Sequence, residues 1–381
     1  MLAYNRTGLD NAALQEEVSA AFHHGLLSGE EKTHIKNTYP ASFYTPNIFI
    51  RIGLFLLTTA IVCFACALLA LMFLRSADDT WRVFFVIMSI LSYAALEYMV
   101  YAHKHHRSGV DDALLWCSCG LMMAGCYSDS EAVNCLTASI ISLYAVMRFA
   151  DQGMSIIATI AIMGILFYAF HLSFIVMIAA AIIYAVVKYL FKDSWQGSLR
   201  HYASCATIVE ITTLVILYTA GNYWVAREIA LNLLWPDHDP QISLPGGWFY
   251  WTCTTALPLI YLIIGIRKKD AILLRTGLVL IAASILTFKS YYHLGRLEVE
   301  LTLGGIALIG IAYSLIRYLH IPRHGFTSYS PEHLREEDEK RAANAESLVI
   351  TESFTPPVTP PGSGFEFGGG TGGGGGAQGQ W

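Results

Sequence analysis

The chain has 381 residues, of which 55% are hydrophobic and 14% are charged, and its formal net charge is −5 at pH 7. Soluble domains carry about 25% charged residues, so this composition excludes a water-soluble protein that covers its own core. The small net charge, without a basic cluster interleaved with aromatic residues, also excludes a nucleic-acid-binding class.

The first 46 residues are polar and predict a short cytosolic pair of helices rather than a cleavable signal peptide. Asp10 is the expected N-cap of the first helix. Ser28 and Glu31 have the spacing of a capping box and open the second helix, which Pro40 ends. The pair is short and has no basic face, so we expect it to pack on the membrane domain or to contact a partner, and not to read DNA.

Residues 47–320 predict an all-α, polytopic bundle of about ten transmembrane helices. The apolar runs are about 16–24 residues long and lack the alternation of a membrane β-barrel. The expected spans are residues 52–74, 83–101, 113–127, 132–149, 154–170, 173–190, 203–223, 248–266, 271–288 and 301–319. The third is short, and the break at residues 170–173 predicts a tight hairpin.

Lysine and arginine in the short loops predict that both termini are cytoplasmic, because cytoplasmic loops are enriched in these residues. On that side lie Lys104, Arg107, Arg148, Lys188, Lys192, Arg200, Arg267, Lys268, Lys269, Arg317 and Arg323. The opposite loops hold Arg75, Arg82, Arg227, Lys289 and Arg296. A bias this consistent also favours an even number of spans.

The chain after the last span predicts two cytosolic segments. Residues 321–348 contain a charged helix that begins at Pro331, a residue suited to the first helical position. Residues 349–381 are rich in Pro and Gly, and this composition predicts a disordered tail.

Two short stretches carry a family resemblance: Gly25-Leu26-Leu27-Ser28-Gly29-Glu30, which precedes the Arg51-Ile52-Gly53 opening of the first span, and Lys289-Ser290-Tyr291-Tyr292-His293 near the last spans. The chain resembles an uncharacterised family of bacterial multi-pass membrane proteins with a short cytosolic helical pair and a Gly-rich C-terminal tail. The resemblance implies the bacterial inner membrane and implies no activity.

Ionisable residues inside a bilayer are costly, so they are the first candidates for function. Glu97, Glu210 and Arg275 lie within the second, seventh and ninth expected spans. All three fall within about 6–10 Å of the cytoplasmic ends of their helices, at a rise of 1.5 Å per residue. We therefore expect an intramembrane polar cluster in which Arg275 pairs with Glu210, Glu97 or both. The alternatives are a purely structural ion pair and separate snorkelling of the side chains to the interface.

A second candidate site lies outside the membrane, between the last two spans. Its members combine basic, aromatic and acidic groups that suit an anionic headgroup or small solute: Lys289, Tyr292, His293, Arg296 and Glu298. The simpler interpretation is an interfacial turn with ordinary anchoring residues.

His103, His105 and His106 precede Asp111 and Asp112 and could form a metal site, but the spacing of a known metal motif is missing. We expect no metal and no cofactor there. The sequence also lacks a P-loop, a GxSxG elbow and a Rossmann fingerprint.

Three functions remain open. The first is transporter- or channel-like handling of a small solute, ion or lipid. The second is a non-catalytic membrane scaffold or sensor that acts on protein partners through its cytosolic termini. The third is a membrane-embedded enzyme, for which the sequence offers the least support.

Overall fold

A computed structural model describes residues 2–23, 26–41, 43–73, 78–191, 199–231 and 246–291, together with eight positions between 302 and 317. The described residues form helices and turns, with one isolated bridge between Tyr44 and His105 and no β-strand. The chain divides into two units, Met1–Leu297 and Glu298–Trp381. In the second unit the eight described positions are helical. Residues 318–381, with both predicted C-terminal segments, lie outside the described residues.

Twelve α-helices are described in the first unit. They are α1 Arg6–His23, α2 Gly29–Thr38, α3 Ile48–Phe73, α4 Asp78–His103, α5 Val110–Gly125, α6 Glu131–Phe149, α7 Gln152–Phe170, α8 Ser173–Leu190, α9 Ala203–Gly221, α10 Tyr223–Ile229, α11 Gly247–Lys268 and α12 Ala271–Tyr291. A short 3₁₀ turn, Arg200–Tyr202, precedes α9.

Eight of these helices are long and apolar enough to cross a membrane: α3, α4, α6, α7, α8, α9, α11 and α12. This finding confirms the all-helical class and supports a multi-pass membrane protein. Helix α5 has only 16 residues, fewer than the roughly 20 that a span needs. The last expected span lies largely outside the described residues, so the total of about ten stays a prediction.

The outer surfaces of these helices are apolar. In α3 no residue of the most apolar window is buried, and Phe64, Leu68 and Leu71 are all exposed. Exposing such side chains to water would cost about 25 cal/mol per Å² of apolar surface, whereas lipid tails accept them. A hydrocarbon environment accounts for this surface.

Neighbouring helices pack in consecutive pairs: α4 with α5, α6 with α7, α8 with α9, and α11 with α12. Helix α3 joins the bundle through α5, and α7 contacts α9. One apolar core cluster, which includes Leu96, Leu114 and Met154, lies between α4, α5 and α7. Another, which includes Leu214 and Tyr261, lies between α9 and α11.

Very short turns join three consecutive helices. Ala150 and Asp151 link α6 to α7, and His171 and Leu172 link α7 to α8. Ala150 and His171 both adopt left-handed backbone conformations with φ of 53°. This conformation ends each helix and reverses the direction of the chain within the two-residue turn. The Asp151 side chain accepts a hydrogen bond from the Met154 amide at 2.7 Å and so caps α7. The tight hairpin expected at residues 170–173 is confirmed.

For the N-terminal pair, α1 and α2, the predicted start of α2 is confirmed and the predicted start of α1 is not. The capping box is confirmed: the Ser28 amide donates to Glu31 at 2.8 Å, and the Glu31 amide donates to Ser28 Oγ at 3.3 Å. The prediction that Asp10 caps α1 was wrong, because the helix begins at Arg6. The Asn5 side chain accepts from the Thr7 amide at 3.1 Å, so the cap lies five residues earlier than predicted.

Candidate functional site

The N-terminal pair is attached to one end of the helical bundle, which we call the capped end. This end comprises the α4–α5 turn, the α6–α7 turn and the start of α9. The Ala3 amide donates to the Arg148 carbonyl at 2.8 Å. Arg200, just before α9, forms an ion pair with Glu17 of α1 at 3.2 Å. These two contacts fix the N-terminal segment to the end of α6 and to the start of α9.

Tyr4 is the main apolar anchor of this attachment. Its buried ring makes edge contacts with Phe43, His106 and Phe149, at centroid distances of 4.5–6.2 Å. Its hydroxyl lies 3.4 Å from a carboxylate oxygen of Asp111. Burial, together with the nearby Asp111 charge, raises the pKa of the Tyr4 phenol, so the group stays protonated and can donate.

His106 lies between the rings of Tyr4 and Phe43. Burial, reinforced by the charge of Arg107, lowers the pKa of His106 from 6.5 to about 4. The imidazole is therefore neutral at pH 7. Its Nδ1 atom is buried without a hydrogen-bond partner among the described residues.

A cleft of about 790 Å³ opens between the N-terminal pair and the capped end. Its walls include ionisable groups from both sides: Glu16, Lys36, Arg51, Arg107, Asp112 and Asp151. Arg51 and Asp112 neutralise each other through an ion pair of 2.6 Å. The guanidinium of Arg107 makes no ion pair among the described residues, although its backbone amide donates to Asp111 at 2.8 Å.

Asp151 brings a carboxylate to the same cleft. Burial raises its pKa, while the amides of Met154 and Gly153 act in the opposite direction. One carboxylate oxygen accepts from Met154, and the described residues give the other no side-chain donor. Arg107 and Asp151 therefore offer groups of opposite charge to a small polar molecule.

The structure gives the predicted intramembrane carboxylates different partners from those expected. Glu97 on α4 accepts two hydrogen bonds from the Arg148 guanidinium on α6, at 3.0 and 3.1 Å. The Tyr93 hydroxyl donates to the same carboxylate at 2.6 Å, and Tyr144 extends this chain at 2.7 Å. This group holds α4 against α6.

Glu210 belongs to a separate group. Its side chain is only 8% exposed and accepts from Lys188 of α8 at 3.1 Å. Lys188 also contacts Asp270 at 2.8 Å, so one ammonium group joins two carboxylates. Asp270 lies in the α11–α12 turn, where burial favours a higher pKa but the Lys188 ammonium outweighs it and lowers the pKa. The group ties α8, α9 and α12 together at the capped end.

The expected pairing of Arg275 with Glu97 or Glu210 was wrong. Arg275 is exposed on α12 and makes no ion pair or hydrogen bond with any described residue. Glu97 is already occupied by Arg148 of α6, and Glu210 is already occupied by Lys188 of α8.

Most of the second predicted site lies outside the described residues, which is the case for Tyr292, His293, Arg296 and Glu298. Lys289 is described and lies half-buried in the last turn of α12. The headgroup or solute role of this set stays a prediction.

The histidine and aspartate residues near the α4–α5 turn are used in local structure. Asp111 accepts from the amides of Arg107 and Ser108 at 2.8 and 2.9 Å, and His105 bonds the Ser108 hydroxyl at 2.8 Å. Within the described ranges, no three His, Cys, Asp or Glu side chains converge as metal ligands would.

Sequence reasoning missed Arg148, Lys188 and Asp270 as partners of the intramembrane carboxylates. Arg148 and Lys188 counted only as flanking charges of their helices. Their positions carried a usable signal, because each lies within the last turn of a helix that ends where Glu97 and Glu210 lie. Tyr4 gave no comparable signal, since one tyrosine in a polar segment has no periodic pattern around it.

No protein-family profile matches the chain, and neither a curated protein nor a solved structure is significantly similar to it.

Proposed function

We propose that the protein handles a small polar solute or ion in a transporter- or channel-like manner, and that the solute binds in the cleft at the capped end. The observation that carries this proposal is the pair of Arg107 and Asp151, which line one cleft and keep unused hydrogen-bonding capacity. Pockets that bind small molecules combine apolar walls with a few convergent polar groups, and Leu115 and Phe149 supply apolar wall here.

The charges favour a solute with an anionic group, a cationic group or both. The planar guanidinium of Arg107 suits a carboxylate or phosphate, and the free oxygen of Asp151 suits an ammonium or hydroxyl group. The ion pair between Arg51 and Asp112 needs no ligand and holds the wall of the cleft in place.

In this proposal the capped end faces the cytoplasm of a bacterial inner membrane, with both termini on that side. The support is the excess of Lys and Arg in the loops of this end, which is the usual mark of a cytoplasmic face. The lipid bilayer surrounds the apolar outer surface described above. Reaction of single-cysteine variants at residues 34 and 129 with an impermeant thiol reagent, in a cysteine-free background, tests the orientation.

The binding experiment uses the full chain in nanodiscs and measures the unfolding temperature with L-glutamate, L-lysine, citrate or phosphate. A bound probe stabilises the fold by RT ln(1 + [L]/Kd), about 2.7 kcal/mol at one hundred times Kd. Arg107→Gln should weaken binding of the active probe about tenfold or more, as should Asp151→Asn, in which the asparagine still caps α7.

Lys104→Gln is the matched control, because Lys104 is an exposed cation of the same turn that does not line the cleft. Equal stabilisation of the wild type and Arg107→Gln would contradict binding in the cleft. Uptake of the same probe into proteoliposomes then tests transport. Binding without uptake would favour the alternative, a sensor that reports the solute through its N-terminal pair.

A further inference from the structure

Arg275 lies on the outer, lipid-facing side of α12. The inward side is marked by the buried residues Leu273, Thr276, Gly277, Leu280 and Ser284. Arg275 shares the opposite side with Leu278 and Val279, whose side chains are 60% and 68% exposed. The charged head of Arg275 therefore lies toward the membrane interface and not toward the interior of the bundle.

Two other basic residues near the same helix ends already have carboxylate partners. Arg148 pairs with Glu97, Lys188 with Glu210 and Asp270. Arg275 makes no such contact with any described residue. Its charge is therefore available to a ligand from the membrane.

Two further cations lie near the start of α12. Arg267 and Lys268 are both exposed at the end of α11. The nearby carboxylate, Asp270, is bonded to Lys188. The α11–α12 turn thus carries a local excess of positive charge.

The packing of α11 and α12 keeps these cations together. A Cβ atom on Gly265 would lie 3.0 Å from the Leu274 amide nitrogen, so the two backbones approach closely just before Arg275. Helical side chains tilt toward the N-terminus of their own helix. The Arg275 side chain therefore leans toward Ala271 and the basic turn, about 6 Å away along the axis.

We propose that Arg275 and the basic α11–α12 turn form a binding site for the phosphate headgroup of an anionic phospholipid. A guanidinium binds phosphate through two parallel hydrogen bonds, and its position one turn inside the helix matches the depth of a headgroup phosphate. The exposed Leu278 and Val279 surface accommodates the acyl chains. A soluble anion would gain nothing from that apolar surface, so the structure favours a lipid.

The test uses the full chain in detergent and measures binding of phosphatidylglycerol, with phosphatidylcholine as the neutral reference, by native mass spectrometry. Arg275→Gln should weaken phosphatidylglycerol binding about fivefold, since one interfacial cation contributes about 1 kcal/mol. Adding Arg267→Gln and Lys268→Gln should weaken it further, and phosphatidylcholine binding should not change.

Arg82→Gln is the matched control. Arg82 is also exposed and is also the fifth residue of a long apolar helix, but it lies at the opposite end of the bundle. Unchanged phosphatidylglycerol binding in Arg275→Gln would overturn the proposal, as would an equal loss in Arg82→Gln.

Complete competition by inorganic phosphate would assign the site to a soluble anion instead. If Arg275→Gln does not purify as folded protein, the Arg267→Gln/Lys268→Gln variant tests the proposal through the exposed turn alone. Unchanged phosphatidylglycerol binding in that variant would also overturn the proposal.

Discussion

The hydroxyl of Ser284 donates a hydrogen bond of 2.8 Å to the carbonyl oxygen of Thr254 on the neighbouring helix. This carbonyl lies four residues before Pro258, which has no N–H to donate to it. No water replaces a missing donor in the bilayer core, so a neighbouring helix has to supply one. Ser284 therefore compensates for the proline in α11 and fixes α12 against it.

Replacing Ser284 by alanine should lower the free energy of unfolding by about 0.5–2 kcal/mol, because a buried carbonyl loses the side-chain donor that the described residues give it. Urea or SDS unfolding in mixed micelles measures the loss. Ser290→Ala is the control, since Ser290 is an exposed serine of the same helix that bonds only its own backbone. In a Pro258→Ala background the backbone donor returns, so Ser284→Ala should cost less there. An equal cost in both backgrounds would contradict the compensation.

Removing the Lys188 ammonium should destabilise the protein because it leaves two carboxylates close together, one of them nearly buried. We expect Lys188→Gln to cost about 1–3 kcal/mol, less than a fully buried pair because Lys188 is half exposed. The double variant Lys188→Gln/Glu210→Gln should recover part of the loss, since no unpaired charge remains in the helix interface. Thermal unfolding of all three proteins provides the comparison. A double variant less stable than Lys188→Gln would show that the pair is not coupled.

Attachment of the N-terminal pair should weaken in acid. The attached state keeps His106 neutral down to about pH 4, whereas His106 that is exposed by release of the N-terminal pair binds a proton near pH 6.5. Stability from this group is therefore complete above pH 6.5 and is lost progressively between pH 6.5 and about 4, by at most about 3 kcal/mol. The groups around it act in both directions: Arg107 and Arg51 oppose protonation, and Asp111 favours it.

Hydrogen exchange of residues 2–23 as a function of pH measures this effect. His106→Phe keeps a ring between Tyr4 and Phe43 and should flatten the pH dependence across that window. His103→Gln removes an exposed imidazole from the end of α4 and should leave it unchanged.

Replacement by alanine should lower the stability at one glycine near α5 and should leave it unchanged or raise it at another. Gly109 has φ of +93°, and a Cβ atom there would overlap the carbonyl oxygen of Arg51. Gly109→Ala should therefore cost several kcal/mol and disturb the Arg51–Asp112 pair. Gly120 has nothing within 4 Å of an added Cβ, so Gly120→Ala should be neutral or stabilise by up to about 1 kcal/mol. The unfolding temperatures of the wild type and of both variants in detergent test this prediction. Similar changes at the two positions would contradict it.

Features that depend on a few neighbouring residues, or on the length of an apolar run, were predictable from the sequence. The hairpin at residues 170–173 and the Ser28–Glu31 capping box follow from patterns within a few residues, and both are confirmed. The apolar lengths of the long spans were also predictable, because hydrocarbon thickness sets them. The start of α1 was not, since the alternative cap at Asn5 is equally suitable chemically.

The pairing of charges was not predictable, because it depends on which helices are neighbours. Glu97 of α4 pairs with Arg148 of α6, which is 51 residues later in the chain. The predicted depth along each helix does not decide the pairing, because several cations lie near the same helix ends. Only the lateral order of the helices decides that Lys188, and not Arg275, reaches Glu210.

Helices α6, α7 and α8 are joined by two linkers of only two residues each. A linker of this length reaches no more than about 10 Å even when fully extended, so the joined ends cannot separate. Any opening of a passage through the bundle must therefore keep the joined ends of these three helices together. The connection of five residues before α6 is longer and sets a looser limit on the distance between the two helix ends that it joins.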